Sequence, residues 1–118
     1  MNDRAIVEAV TRLPVDFKEQ RTVSAVELIR RSGLVDNPQA LSAAVVRAFL
    51  VENPALVATW ETWSQDKRTS AGWYFSPDGT RYVVGFFPGQ ERATFDDPFD
   101  ACSAFILREA RELIGDAR

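Results

Sequence analysis

Apolar residues recur at helical spacing as far as Arg68, alternate residue by residue from Gly72 to Phe87, and return to helical spacing after Asp97. A side-chain period near 3.6 lines one face of a helix, and a period of two lines one face of a strand. The chain therefore sorts into helices, then a sheet, then a final helix. Because the two kinds of element are segregated, the expected class is α+β: about four N-terminal helices, a two- or three-stranded antiparallel β-sheet, and a long C-terminal helix packed on that sheet. At 118 residues a single domain over 1–118 is expected, large enough to bury its own core without staples.

Local signals punctuate the helical half. Residues 3–13 place Ile6, Val10 and Leu13 on one face, with Pro14 as the expected stop. Ser24 and Glu27 have the spacing of a capping box, with Val23 set to pack on Leu28. Gly33 follows as a left-handed C-cap that brings Leu34 onto Ile29. Asn37-Pro38 reads as the start of a third helix carrying Leu41, Val45, Ala48 and Phe49. Asn53-Pro54 then enforces a break before a fourth helix striped by Leu56, Trp60 and Trp63.

Between Gly72 and Phe87 the pattern is strand, turn, strand. Ser76-Pro77-Asp78-Gly79 fits a type I turn closed by a glycine bulge, which would pair Ser76 with Thr80, Phe75 with Arg81, Tyr74 with Tyr82 and Trp73 with Val83. That register predicts a buried face of Trp73, Phe75, Val83, Gly85 and Phe87, and a half-exposed face on which Tyr74 and Tyr82 stand opposite each other. "ERATF" reads as a short third strand. Asp97 caps the last helix, Pro98 takes its first position, and Phe99, Cys102, Ile106, Ala110 and Leu113 line its inner face with Phe105 alongside. The expected core gathers Phe49, Trp60, Trp63, Trp73, Phe75, Val83, Phe87, Phe105 and Ile106, since burying each large side chain stabilises the fold by about 1.5–3 kcal/mol.

Charge and residue usage narrow the chemistry. The net charge is −3, and the surplus of acids lies after Phe95, which argues against a nucleic-acid binder. A helix-turn-helix over residues 24–50 fares no better, because its second helix offers only Gln39, Ser42 and Arg47 to bases and phosphates. No apolar run approaches a membrane span, no signal-type leader is evident, and the single cysteine cannot form an internal disulfide, so a cytoplasmic protein is expected. The dominance of arginine over lysine, with abundant alanine, suggests a bacterial coding sequence.

Histidine is absent, which removes the commonest general base and most zinc sites. Cys102 sits on the apolar stripe, where a thiol behaves as a small hydrophobe. Ser64-Gln65-Asp66-Lys67 matches S-x-x-K, but the companion motifs of the serine enzymes that use it are missing. Asp96, Asp97 and Asp100 are accounted for as helix N-terminal acids without invoking a metal. Lys67, Arg68, Arg81 and Arg92 could converge into an anion patch. No catalytic residue, cofactor or metal is expected, and the protein reads as a non-enzyme.

The leading expectation is a protein-interaction module, comparable to immunity or adaptor proteins only by analogy of size and charge. Its surface would join Tyr74 and Tyr82 to Phe95, Asp96, Asp97, Phe99 and Asp100, and its partner would be another protein or a second copy in a homodimer. The alternative is a small-ligand-binding domain with an aromatic pocket between sheet and helices, lined by Trp60, Trp63 and Tyr74.

Overall fold

The computed structural model describes residues 3–66, 72–89 and 91–117. Five α-helices come first: α1 (Asp3–Thr11), α2 (Leu13–Glu19), α3 (Ala25–Ser32), α4 (Ala43–Glu52) and α5 (Ala55–Asp66). An antiparallel sheet follows, in the order β1 (Gly72–Asp78), β2 (Arg81–Phe87) and β3 (Arg92–Phe95). The long α6 (Pro98–Ala117) then packs across the sheet and against α3 and α4.

The capping signals act where the sequence places them. Ser24 Oγ accepts the Glu27 N–H at 3.1 Å, and Gly33 closes α3 at φ 89°, a conformation only glycine adopts cheaply. Asn53 ends α4 by donating from its side chain to the Phe49 carbonyl at 3.0 Å. At the other end of the chain, Asp97 Oδ1 accepts the Phe99 N–H at 2.8 Å to open α6.

Two helix boundaries differ from expectation. Pro14 does not stop the first helix; it sits in the first turn of α2, where a proline's missing N–H costs nothing. Asn37 does not cap a long third helix either. Its side chain donates back to the Gly33 carbonyl at 3.1 Å, Pro38–Ala40 makes a single 3₁₀ turn, and α4 starts later with Ser42 Oγ accepting the Val45 N–H.

The largest correction concerns the hairpin. Phe75 pairs with Val84, Tyr74 with Gly85, Trp73 with Phe86 and Pro77 with Tyr82. The turn is a two-residue Gly79-Thr80 connection with Gly79 at φ 64°, as a type II′ turn requires at its first central position. Compared with the expected register the slip is three residues, an odd number, so every β2 side chain changes face. Tyr74 and Tyr82 therefore lie on opposite faces. Phe87, expected in the core, is 49% exposed.

The physical reason is visible on the α6 side of the sheet. The observed register gathers Trp73, Phe75, Tyr82, Val84 and Phe86 there, with Trp73 edge-on to Phe86 at 5.2 Å and Phe75 stacked on Phe105 of α6 at 6.0 Å. The expected register would have put Arg81 on that face opposite Phe75. Instead Arg81 reaches the exposed Asp96 at 3.1 Å. Trp60, Phe75 and Phe105 are the largest fully buried side chains, joined by Ile6, Leu13, Ile29, Leu34, Leu50 and Ile106.

Helix α5 also seals one edge of the sheet. Ser64, 2% exposed, accepts the Phe75 N–H on its Oγ at 2.7 Å. A strand edge with unpaired amides invites foreign strands, and here a hydroxyl from a packed helix closes it.

Candidate functional site

Phe95, Asp96, Asp97, Phe99 and Asp100 do lie together, between β3 and the first turn of α6, but they are bound up within the molecule. Arg47 on α4 reaches Asp97 with its Nη2 at 2.5 Å and Asp100 with its Nε at 2.6 Å. Its guanidinium also rides over the Phe99 ring at 5.9 Å. Phe95 and Phe99 are partly buried against the core rather than projecting as anchors.

The electrostatics follow from that clamp. Partial desolvation pushes the Asp97 carboxyl up. The hydrogen bond from Arg47 and the Phe99 N–H outweigh this and hold it below the ordinary aspartate range. Hydrogen bonds to Asp97 and Asp100 raise the Arg47 guanidinium further above its already high value. Asp96 is paired with Arg81. Among the described residues no group of three or more acids, cysteines or histidines is arranged to hold a metal ion.

Tyr82 belongs to the core side, its ring 6.2 Å from Phe75. Tyr74 lies on the opposite face, across Gly85. The expected tyrosine pair therefore does not exist as a surface. Arg81 and Arg92 do not converge into an anion patch, since they reach Asp96 and Asp78 separately, and Lys67 and Arg68 lie outside the described residues.

Nor do Trp60, Trp63 and Tyr74 share a pocket. Trp60 is 1% exposed and donates its indole N–H to the Thr11 carbonyl at 2.8 Å, so it is a core residue tying α5 to α1. Trp63, three residues on, is half-buried and looks into a groove that the sequence did not reveal.

That groove runs among helices, with no strand in its lining. Its volume is about 1300 Å³, and its walls are Pro14, Val15, Phe17 and Lys18 from α2, Ala25 from α3, Thr59, Thr62 and Trp63 from α5, and Glu109 and Leu113 from α6, with Glu19 and Arg21 at the rim. Phe17 stands 42% exposed, edge-on to Trp63 at 5.2 Å and 84°. The Trp63 indole N–H donates to Glu109 Oε2 at 2.6 Å, which fixes the ring that forms the floor. Glu109 is itself 2% exposed. The threonine hydroxyls of that wall are engaged within α5, donating to the carbonyls of Leu56 and Ala58. Lys18 and Arg21 make no ion pair among the described residues.

As a terminator, Pro14 leaves Val15 and Phe17 without an element. The one available signal was an aromatic placed three residues after a proline that could equally begin a helix.

Cys102 is buried, and that burial, with the charge of Glu61 adding to it, pushes its thiol far above the range in which a thiolate forms. No described helix is long and apolar enough to cross a membrane. Fold and groove together define a small α+β domain with an apolar concavity among its helices. No protein-family model matches the chain, and neither a curated protein nor a solved structure matches it.

Proposed function

We infer that the protein is a non-enzymatic binding module that seats the apolar side chains of an amphipathic peptide segment in the groove between α2, α5 and α6. The observation that carries this reading is the exposed Phe17 ring standing edge-on over Trp63 at the groove mouth. Large aromatics at the rim of an apolar cleft are the usual anchors of a recognition surface.

Size and charge favour a segment over a small molecule. A groove of about 1300 Å³ exceeds the roughly 300–1,000 Å³ of pockets that enclose drug-sized ligands. Helix-in-groove recognition uses apolar anchors on one face of a peptide, and the cations of Lys18 and Arg21 would meet acidic residues beside those anchors. The acidic edge around Asp97 gives less support to a binding role, because Arg47 already engages it.

The test is selection from a displayed peptide library against the wild-type chain, with counter-selection on a folded Phe17→Glu/Thr62→Arg variant. Enriched peptides should carry apolar anchors at helical spacing with flanking acids, and should bind the variant at least about tenfold more weakly, a loss of about 1.4 kcal/mol. Peptides that bind both proteins equally, or no enrichment at all, would remove the groove as the binding site.

A further inference from the structure

The two edges of the sheet are treated differently. Helix α5 flanks β1 and Ser64 takes its free Phe75 N–H. Strand β3 forms the other edge, and its principal neighbours are β2 beside it and α6 beneath it. Among the described residues, no helix closes its outer side in the way α5 closes β1.

The direction of the β3 backbone groups follows from the ladder. Phe86 donates its N–H to the Glu91 carbonyl at 2.9 Å, one step beyond the Gly85↔Arg92 pair. Hydrogen-bonded and non-hydrogen-bonded pairs alternate in an antiparallel ladder. Ala93 and Phe95 therefore bond to β2, whereas Arg92 and Thr94 turn their N–H and C=O groups outward. The same alternation sends Val84 toward β3 and Phe75 toward Ser64, which agrees with the hydrogen bond found there.

We propose that β3 is a self-association edge, pairing antiparallel with β3 of a second copy about a two-fold axis at Thr94 to give a continuous six-stranded sheet. Of the registers this edge could adopt, the one centred on Thr94 matches all the side chains. Thr94 faces Thr94 of the second copy as a hydrogen-bonded pair. Arg92 then faces Asp96 of the second copy on the outer surface, and Asp96 faces the second Arg92. On the helix side Ala93 meets Phe95, small against large. Cross-strand pairs of these kinds favour pairing, and a two-fold operator uses each of them twice.

The residues involved are accessible: the Arg92 side chain is 57% exposed and the Asp96 side chain 85% exposed. Their intramolecular partners, Asp78 at 3.8 Å and Arg81 at 3.1 Å, are surface contacts that yield at little cost. A four-residue strand gives a small interface, so the association is weak and concentration-dependent.

Light scattering coupled to size exclusion, with sedimentation velocity across a concentration series, tests this on the whole chain. Wild type should dimerise at a Kd between micromolar and millimolar. Arg92→Asp and Asp96→Arg should each associate roughly tenfold or more weakly, because each places like charges opposite one another twice. Mixing these two variants should restore a heterodimer, since positions 92 and 96 are then both acidic on one copy and both basic on the other, and each of the two contacts pairs opposite charges. Thr94→Pro should also be monomeric, and because the Thr94 N–H points outward, proline there leaves the β2 ladder intact. A wild type that stays monomeric up to about 1 mM would overturn the second copy as occupant and leave the edge to a strand of another protein. A dimer that survives both charge variants unchanged would overturn the edge itself.

Discussion

Tyr74 lies across Gly85 so closely that a Cβ at residue 85 would stand 2.5 Å from the tyrosine hydroxyl oxygen. The ring covers the backbone of the central strand on the face away from α6, as an aromatic does when it compensates for a strand glycine. Gly85→Ala should therefore destabilise the fold by about 1 kcal/mol, the displacement of Tyr74 outweighing the entropy gained by removing a glycine. In a Tyr74→Ala background the same substitution should be neutral or stabilising. Urea denaturation of the four members of that cycle measures the coupling directly. Equal effects of Gly85→Ala in both backgrounds would show that the ring does not occupy that space.

The Arg47 clamp makes a pH prediction. Asp97 has a folded pKa lowered below the ordinary 3.8, so its contribution is fully present above that value and disappears as pH falls through the folded value. Arg47→Met should weaken this dependence, leaving the Phe99 N–H to lower the Asp97 carboxyl without the guanidinium. The acid limb of stability below about pH 4 should become shallower for the variant than for wild type, with both curves compared in the same low-salt buffer. Parallel acid limbs would mean that Arg47 does not set the Asp97 pKa.

Ser64 holds the edge of β1 through one hydrogen bond. Ser64→Ala leaves the Phe75 N–H buried without a partner and should cost about 1–3 kcal/mol. Thermal and urea unfolding would register this. A larger protection loss at the Phe75 amide than at amides of α3, read by hydrogen exchange, would localise it to the sheet edge.

Thr11 offers the opposite case. Its hydroxyl is buried without a hydrogen-bond partner among the described residues, while its carbonyl serves Trp60. Thr11→Val keeps the shape and the carbonyl and removes the unsatisfied group. The midpoint of unfolding should rise, by an amount equivalent to about 1 kcal/mol.

Cys102 should be silent to a thiol reagent such as Ellman's at neutral pH while the protein is folded, since burial suppresses its thiolate. Its labelling rate in graded urea should follow global unfolding. Rapid labelling of the native state would place the α6 core in contact with solvent.

Some of this was legible from neighbouring residues alone. Ser24 with Glu27, Gly33, Asn53 and Asp97 each announced a helix end, and the change of period announced the sheet and the final helix. Pro14 was ambiguous because a proline suits both the position after a helix and the first turn of the next. Only packing of residues 13–19 beside α3 and α5 favours the second. The acidic cluster was visible as a cluster, but its neutralisation was not, because Arg47 is 50 and 53 residues away from its two partners.

By itself, then, the sequence determined which segments are helix and which are strand, and where most of them end. Caps and turns are satisfied by atoms within four residues, so their energetics are local. Tertiary structure alone decided the register of the hairpin, the side on which Tyr82 and Phe87 finish, and the existence of the Phe17–Trp63 groove. Two registers of β1 on β2 keep the same alternation of apolar side chains, and nothing within the hairpin separates them. The separation comes from α6, whose Phe105 stacks on Phe75, and from Ser64, which takes the outward Phe75 N–H at the edge of β1. Burial between distant segments selects among locally equivalent arrangements, and it also left an open groove where α2, α5 and α6 meet.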